Sequence, residues 1–117
     1  MTREFESLTR RLGNAMLSQI EEALGASPWS SGYLDARFNA VERSWIHKIR
    51  IVNAEKGILS IGSTDEMDVD LTYLELHRGA GATEWYGLLL TVWPDGRCVV
   101  RLNYDPSCAA DASFYES

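Results

Sequence analysis

A chain of 117 residues that is 45% hydrophobic and carries four tryptophans has the length of one domain over residues 1–117 and the apolar content to bury a core, which excludes disorder as a description of the whole. Seventeen acidic against 11 basic residues leave a net charge of -6, so the basic footprint that a general nucleic-acid binder needs to neutralise phosphates is missing. No apolar run approaches the roughly 20 residues of a membrane span, and Thr2-Arg3-Glu4-Phe5-Glu6 lacks the apolar stretch of an export signal. The expected setting is therefore cytoplasmic, with neither a membrane nor nucleic acid as partner. Cys98 and Cys108 are too few for a disulfide scaffold and read as reduced thiols, a short-loop bridge between them forming only on oxidation.

In chain order, the first predicted element is an amphipathic helix over residues 3–24. Phe5, Leu8, Leu12, Met16, Ile20 and Leu24 recur at spacings of three and four, while Arg3, Glu6, Arg10, Glu21 and Glu22 take other faces. Thr2 is available as a cap, and Gly25 with Pro28 supplies the stop. Beyond Ser27-Pro28-Trp29-Ser30-Ser31-Gly32 the period changes to two. Leu34, Ala36, Phe38 and Ala40 alternate with polar residues, and a second run sets Trp45, His47, Ile49 and Ile51 against Ile46, Lys48, Arg50 and Val52. Residues 53–57 read as a turn and 58–61 as a short strand. Residues 62–84 fit two patterns. Met67, Val69, Leu71 and Tyr73 alternate as in a strand, but Met67, Leu71 and Leu74 also keep helical spacing behind a Ser63 or Thr64 cap. Arg78-Gly79-Ala80-Gly81-Ala82 reads as a flexible loop. Trp85–Trp93 and Arg97–Tyr104 flank Pro94-Asp95-Gly96, whose chemistry suits a tight antiparallel hairpin. From Ser107 onward the tail is small and polar apart from Phe114 and Tyr115, and is expected to be loosely ordered. These elements predict an α+β fold, with the N-terminal helix packed on a mainly antiparallel sheet of about five strands. Phe5, Leu8, Leu12, Ile20, Phe38, Ile49, Leu89, Val100 and Leu102 are its expected buried residues.

No catalytic motif stands out, and no cofactor, metal or catalytic residue is expected. The glycines follow neither dinucleotide nor phosphate-loop spacing. His47, His77, Cys98 and Cys108 lack the short spacing of a zinc motif, and the acidic stretch lacks the glycine and terminal Glu of a calcium loop. Cys98 and His47, as a nucleophile and base, are expected on apolar strand faces, where a thiol acts as a small hydrophobe. The charge pattern is more distinctive. Asp65, Glu66, Asp68, Asp70 and Glu75 lie in a span without a basic residue between Lys56 and Arg78. Such a stretch reads either as a solvated edge guarded by charge or as a patch steering a basic protein partner. Trp93, beside the hairpin turn, is the tryptophan best placed as an exposed aromatic anchor.

The hairpin also carries a family likeness. Trp85-Tyr86-Gly87-Leu88-Leu89-Leu90-Thr91-Val92, Pro94-Asp95-Gly96 and Val99-Val100-Arg101-Leu102-Asn103-Tyr104-Asp105 together resemble the closing signature of the YezG-like immunity proteins. The N-terminal helix, the Pro28-Trp29 at its exit and the strands that follow agree in order. Where that family carries a longer helical insert, this chain has the short acidic Asp65–Glu75 stretch. The resemblance implies an immunity protein of a polymorphic-toxin or contact-dependent growth inhibition system. Such a protein is a toxin inhibitor, not an enzyme, and binds a cognate toxin C-terminal domain, often a nuclease. On this reading the partner-binding residues are Asp65, Glu66, Asp68, Asp70, Glu75 and Trp93, and the partner presents a basic surface. The competing reading is a small-molecule-binding or enzymatic α+β domain with a pocket between helix and sheet, lined by His47 and Cys98.

Overall fold

The structure, a computed structural model, describes residues 3–25, 28–39, 44–53, 57–62, 64–74, 77–79 and 84–110. In chain order these form helix α1 (Arg3–Leu24), strands β1 (Ser31–Asn39), β2 (Ser44–Asn53) and β3 (Gly57–Ile61), helix α2 (Asp65–Leu74), and strands β4 (Gly87–Val92) and β5 (Cys98–Asn103), followed by a 3-10 turn at Pro106–Ala110. The strands pair antiparallel throughout, in the order β3-β2-β1-β4-β5. The α+β architecture, the five strands and the pairing of the last two all match expectation.

Helix α1 occupies the span its periodicity predicts. Phe5, Leu12, Met16 and Ile20 are buried, and Leu8 and Leu24 are half-buried beside them. Gly25, at φ 59°, ends the helix in the left-handed conformation, its N–H donating to the Glu21 carbonyl at 2.8 Å. The helix lies over β4 and β5 and presses close to β1 at Gly32, where a methyl group would stand 2.7 Å from Ile20 Cδ1. On the sheet, Leu34, Ala36 and Phe38 of β1, Ile49 and Ile51 of β2, and Leu88, Leu90 and Val92 of β4 supply the buried face.

The stretch compatible with both patterns is a helix. Thr64 caps α2, its Oγ1 accepting the Met67 N–H at 3.3 Å. Asp65, Glu66 and Asp68 occupy the first turn, where unpaired N–H groups favour negative charge. Met67, Leu71 and Leu74 join the core, and α2 packs beside α1 on the same face of the sheet.

Several expectations fail, Leu8 among them, which is half-buried where burial was expected. Leu89 is half-buried on the opposite face, across from Asp35. Residues 88–90 are all leucine, so alternation assigns no face, and Leu88 and Leu90 take the core. Val100 and Leu102 face the core but are only half-buried, because β5 is an edge strand. Arg78, read as part of a loose loop, is 9% exposed. Its guanidinium stacks 3.8 Å above the Phe38 ring, and its Nε donates to the Trp85 carbonyl at 2.9 Å. Residues 80–83 lie outside the described residues, as do 111–117 of the tail. Pro106–Ala110 is ordered, with Arg37 donating to the Cys108 carbonyl at 2.9 Å. Arg78→Ala is expected to cost about 2–3 kcal/mol in urea denaturation, with Arg78→Lys recovering little, since an ammonium cannot reproduce the planar stack and fork.

Candidate interaction surface

Residues Met67, Asp70, Leu71 and Leu74 of α2 turn inward at spacings of three and four, which leaves Asp65, Glu66, Asp68, Val69 and Tyr73 outward. Val69 and Tyr73 are 50% and 53% exposed, and Ile58, Val99 and Tyr104 on the sheet side are exposed to a similar or greater degree. Val69 and Tyr73 border a groove between α1 and α2. One hollow, of about 660 Å³, is lined by Asn14, Ala15 and Ser18 on one side and by Asp65, Glu66 and Val69 on the other. A second, of about 540 Å³, continues past Leu8, Ser7 and Glu4 towards Tyr73 and His77. Arg11 lines both and joins them into one trough.

Arg11 also decides the role of Asp70. The two form an ion pair in which the carboxylate is 6% exposed and the guanidinium 61%. Asp70 therefore ties α2 to α1 and is withdrawn from the solvent-facing set. With Asp70 neutralised by Arg11, the trough keeps Asp65, Glu66 and Glu4 as its anionic side chains. Asp68 points outward beside the sheet, its carboxylate 3.5 Å from His47 Nε2, and Glu4 stands 3.6 Å from His77 Nε2. Glu75 lies outside the described residues. Carboxylates around an apolar Val–Tyr stripe suit a cationic, partly apolar protein surface, with the charges steering approach and the tyrosine supplying rigid contact area.

Trp93 stands apart from this groove, at the β4–β5 turn beyond the sheet end. It is half-buried, with the Arg97 guanidinium 4.7 Å over its ring. The turn has the expected geometry. Trp93 N–H donates to the Arg97 carbonyl at 3.1 Å, and Gly96 adopts φ 91°. The Arg97 amide first, and then its guanidinium, hold the Asp95 carboxyl below its ordinary value. A depressed carboxylate stabilises the fold above its unfolded value and loses that contribution as pH falls through the folded one. A carbon-detected NMR titration should accordingly find Asp95 ionising below a free aspartate, and Arg97→Ala should return it towards normal.

The residues considered for chemistry do not meet. Cys98 and His47 sit on β5 and β2, three strand spacings or about 14 Å apart across the sheet and offset along it, since Cys98 falls in the row of Ile51. Cys98 is exposed rather than covered, because it opens an edge strand, although its sulfur faces Gly13 of α1. Desolvation there raises the thiol's pKa, which disfavours the thiolate a nucleophile needs. Among the described residues no three His, Cys, Asp or Glu side chains gather as a metal ion requires, and no helix is long and apolar enough to cross a membrane. No family model matches the chain, and no curated protein matches it either.

Proposed function

We propose that this protein is a cytoplasmic inhibitor of the immunity type, which binds a basic toxin domain through the trough between α1 and α2. The observation that carries this reading is the outward face of α2, where Asp65 and Glu66 of the first turn are followed along the helix by the exposed Val69 and Tyr73. A nuclease toxin presents a cationic cleft shaped for phosphates. An anionic ridge with an aromatic anchor competes for such a cleft, or covers its rim, without chemistry of its own. Like charges at the edges exclude acidic partners, so the same residues serve rate and selectivity. Trp93 and its turn lie outside the trough and act as a separate contact, if the partner reaches that far around the sheet end.

The reading makes the protein a binder and not an enzyme. The separation of Cys98 from His47 supports it over a catalytic pocket between helix and sheet. The test is to express the C-terminal domain of the adjacent upstream reading frame with and without this protein and to score growth. Growth is expected to be restored by the wild-type protein and by folded Cys98→Ala and His47→Ala variants. A folded variant that still binds toxin but no longer protects would point to catalysis instead.

A further inference from the structure

The sheet order leaves β3 and β5 as edge strands. Natural edges are usually blunted by lysine, proline, a bulge or a covering element, because unpaired N–H and C=O groups attract another strand. Among the described residues, Cys98–Asn103 has none of these devices. Its register with β4 runs unbroken from Val92↔Cys98 to Gly87↔Asn103, Arg101 is its single charge, and its side chains are exposed or half-exposed throughout. Beyond Asn103 the chain turns back towards β1, where Arg37 donates to the Cys108 carbonyl at 2.9 Å, so residues 106–110 leave the edge uncovered.

The hairpin fixes which backbone groups face outward. Trp93 N–H donates to the Arg97 carbonyl at 3.1 Å, so these two form a hydrogen-bonded pair. The alternation of an antiparallel ladder then turns Val99, Arg101 and Asn103 towards β4. Consistent with this, the Asn103 carbonyl accepts the Tyr86 N–H at 2.7 Å. Cys98, Val100 and Leu102 therefore aim both N–H and C=O at the open side. The same three residues carry the core-side row, level with Val92, Leu90 and Leu88. Those β4 residues are buried, whereas Cys98 is exposed and Val100 and Leu102 are half-buried. Leu17, one turn beyond the Gly13 that faces Cys98, is half-buried as well. The core thus ends at β5 in an apolar ledge beneath an unpaired strand.

We propose that β5 docks on β5 of a second copy of this chain, antiparallel about a two-fold axis at Val100, and joins the two sheets into one. Val100 then pairs with Val100 of the second copy and Cys98 with its Leu102, each pair exchanging both backbone hydrogen bonds. The half-covered row of Cys98, Val100 and Leu102 meets its own copy, which covers the ledge. On the other face Arg101 falls opposite Val99 and Arg97 opposite Asn103, so no like charges meet across the axis. This self-complementary register favours a second copy over an unrelated strand. Pairing β5 with β3 of another copy would leave open edges and grow without closing. β3 is also the weaker edge, five residues long, opening on Gly57 and followed by Gly62. One strand pair lies at the small end of interface sizes, so a Kd of roughly 10–100 µM is expected. The toxin-binding trough is lined by Arg11, Asn14 and Ala15 of α1, whereas Gly13 faces β5. Both troughs stay open in the dimer, and the pairing does not rest on them.

The test is sedimentation velocity and amide NMR of the purified full chain, diluted from about 1 mM to about 10 µM. A dimer is expected at the high end and a monomer at the low end, with concentration-dependent shifts centred on Cys98–Asn103 and absent from β3. Val99 is 47% exposed, so its substitution leaves the core intact. Val99→Lys sets a lysine opposite Arg101 of the second copy and should weaken dimerisation about tenfold, while Val99→Glu sets a carboxylate there and should tighten it about threefold. Val100→Pro removes an outward N–H without breaking a bond to β4 and should abolish the dimer. The two Val99 variants decide the matter if Val100→Pro folds poorly. A monomer at the highest concentration, shifts on β3 or the helices, species larger than a dimer, or Val99→Lys and Val99→Glu acting alike would each overturn the proposal.

Discussion

Replacing Trp85 with alanine is expected to lower the free energy of unfolding by about 3–5 kcal/mol, the range for emptying a buried aromatic site. Trp85 is 2% exposed and touches three parts of the fold. Its ring meets Phe5 of α1 edge-on at 6.2 Å, its Nε1 donates to the His77 carbonyl at 3.1 Å, and its backbone is bonded to Arg78 through both N–H and C=O. Truncation opens a cavity and also strands the His77 carbonyl. Trp85→Phe should recover most of the packing but not the hydrogen bond, leaving a deficit of about 1–2 kcal/mol. Total stabilities of domains this size are 5–15 kcal/mol, so the alanine variant sits near the limit of folding. Urea denaturation of the two variants checks both figures. If Trp85→Ala costs under 1 kcal/mol, the helix start is not anchored as described.

The second large effect is on binding. Reversing Asp65 and Glu66 to lysine should slow association with the toxin domain by one to two orders of magnitude at low salt. The difference from wild type should shrink as ionic strength rises and the Debye length falls to about 10 Å at 0.1 M. Both residues lie in the first turn of α2, where lysines oppose the helix dipole. Asp65→Asn with Glu66→Gln therefore serves as the companion variant, keeping the fold while removing the charge. Asp70 is left intact, since its substitution removes the tie between the helices and not a contact with a partner. Stopped-flow rates that are equal for wild type and both variants would assign the acidic stretch to solvation alone.

The contrast between Asp70 and its neighbours shows where the amino-acid pattern stops being informative. Helix α1 and the β4–β5 hairpin are legible because one periodicity, or one turn chemistry, fits each without competition. Over residues 65–74 two periodicities fit equally. The choice is made by tertiary partners, namely a core that accepts Met67, Leu71 and Leu74 and an Arg11 that arrives from α1 to neutralise Asp70. Once the helical spacing is taken, Asp70 falls in the inward stripe between Met67 and Leu71, which is the signal that separates it from Asp65, Glu66 and Asp68. Arg78 had no such signal. Its burial depends on the Phe38 ring, which is distant in sequence, and on the Trp85 carbonyl just past the glycine-rich stretch. That Arg37, Lys48, Arg50 and Arg101 share one face of the sheet was equally hidden, because only strand register brings them together.

Amide hydrogen exchange of the protein, alone and with the toxin domain proposed as its partner, tests most directly whether the trough between the helices is the proposed binding surface. Slowed exchange is expected in α2 (Asp65–Leu74) and along the facing part of α1 from Glu4 to Ser18, with the sheet strands unchanged. Protection confined to β4, β5 and the turn at Trp93, with α2 exchanging as in the free protein, would contradict the account and move the interface to the sheet end.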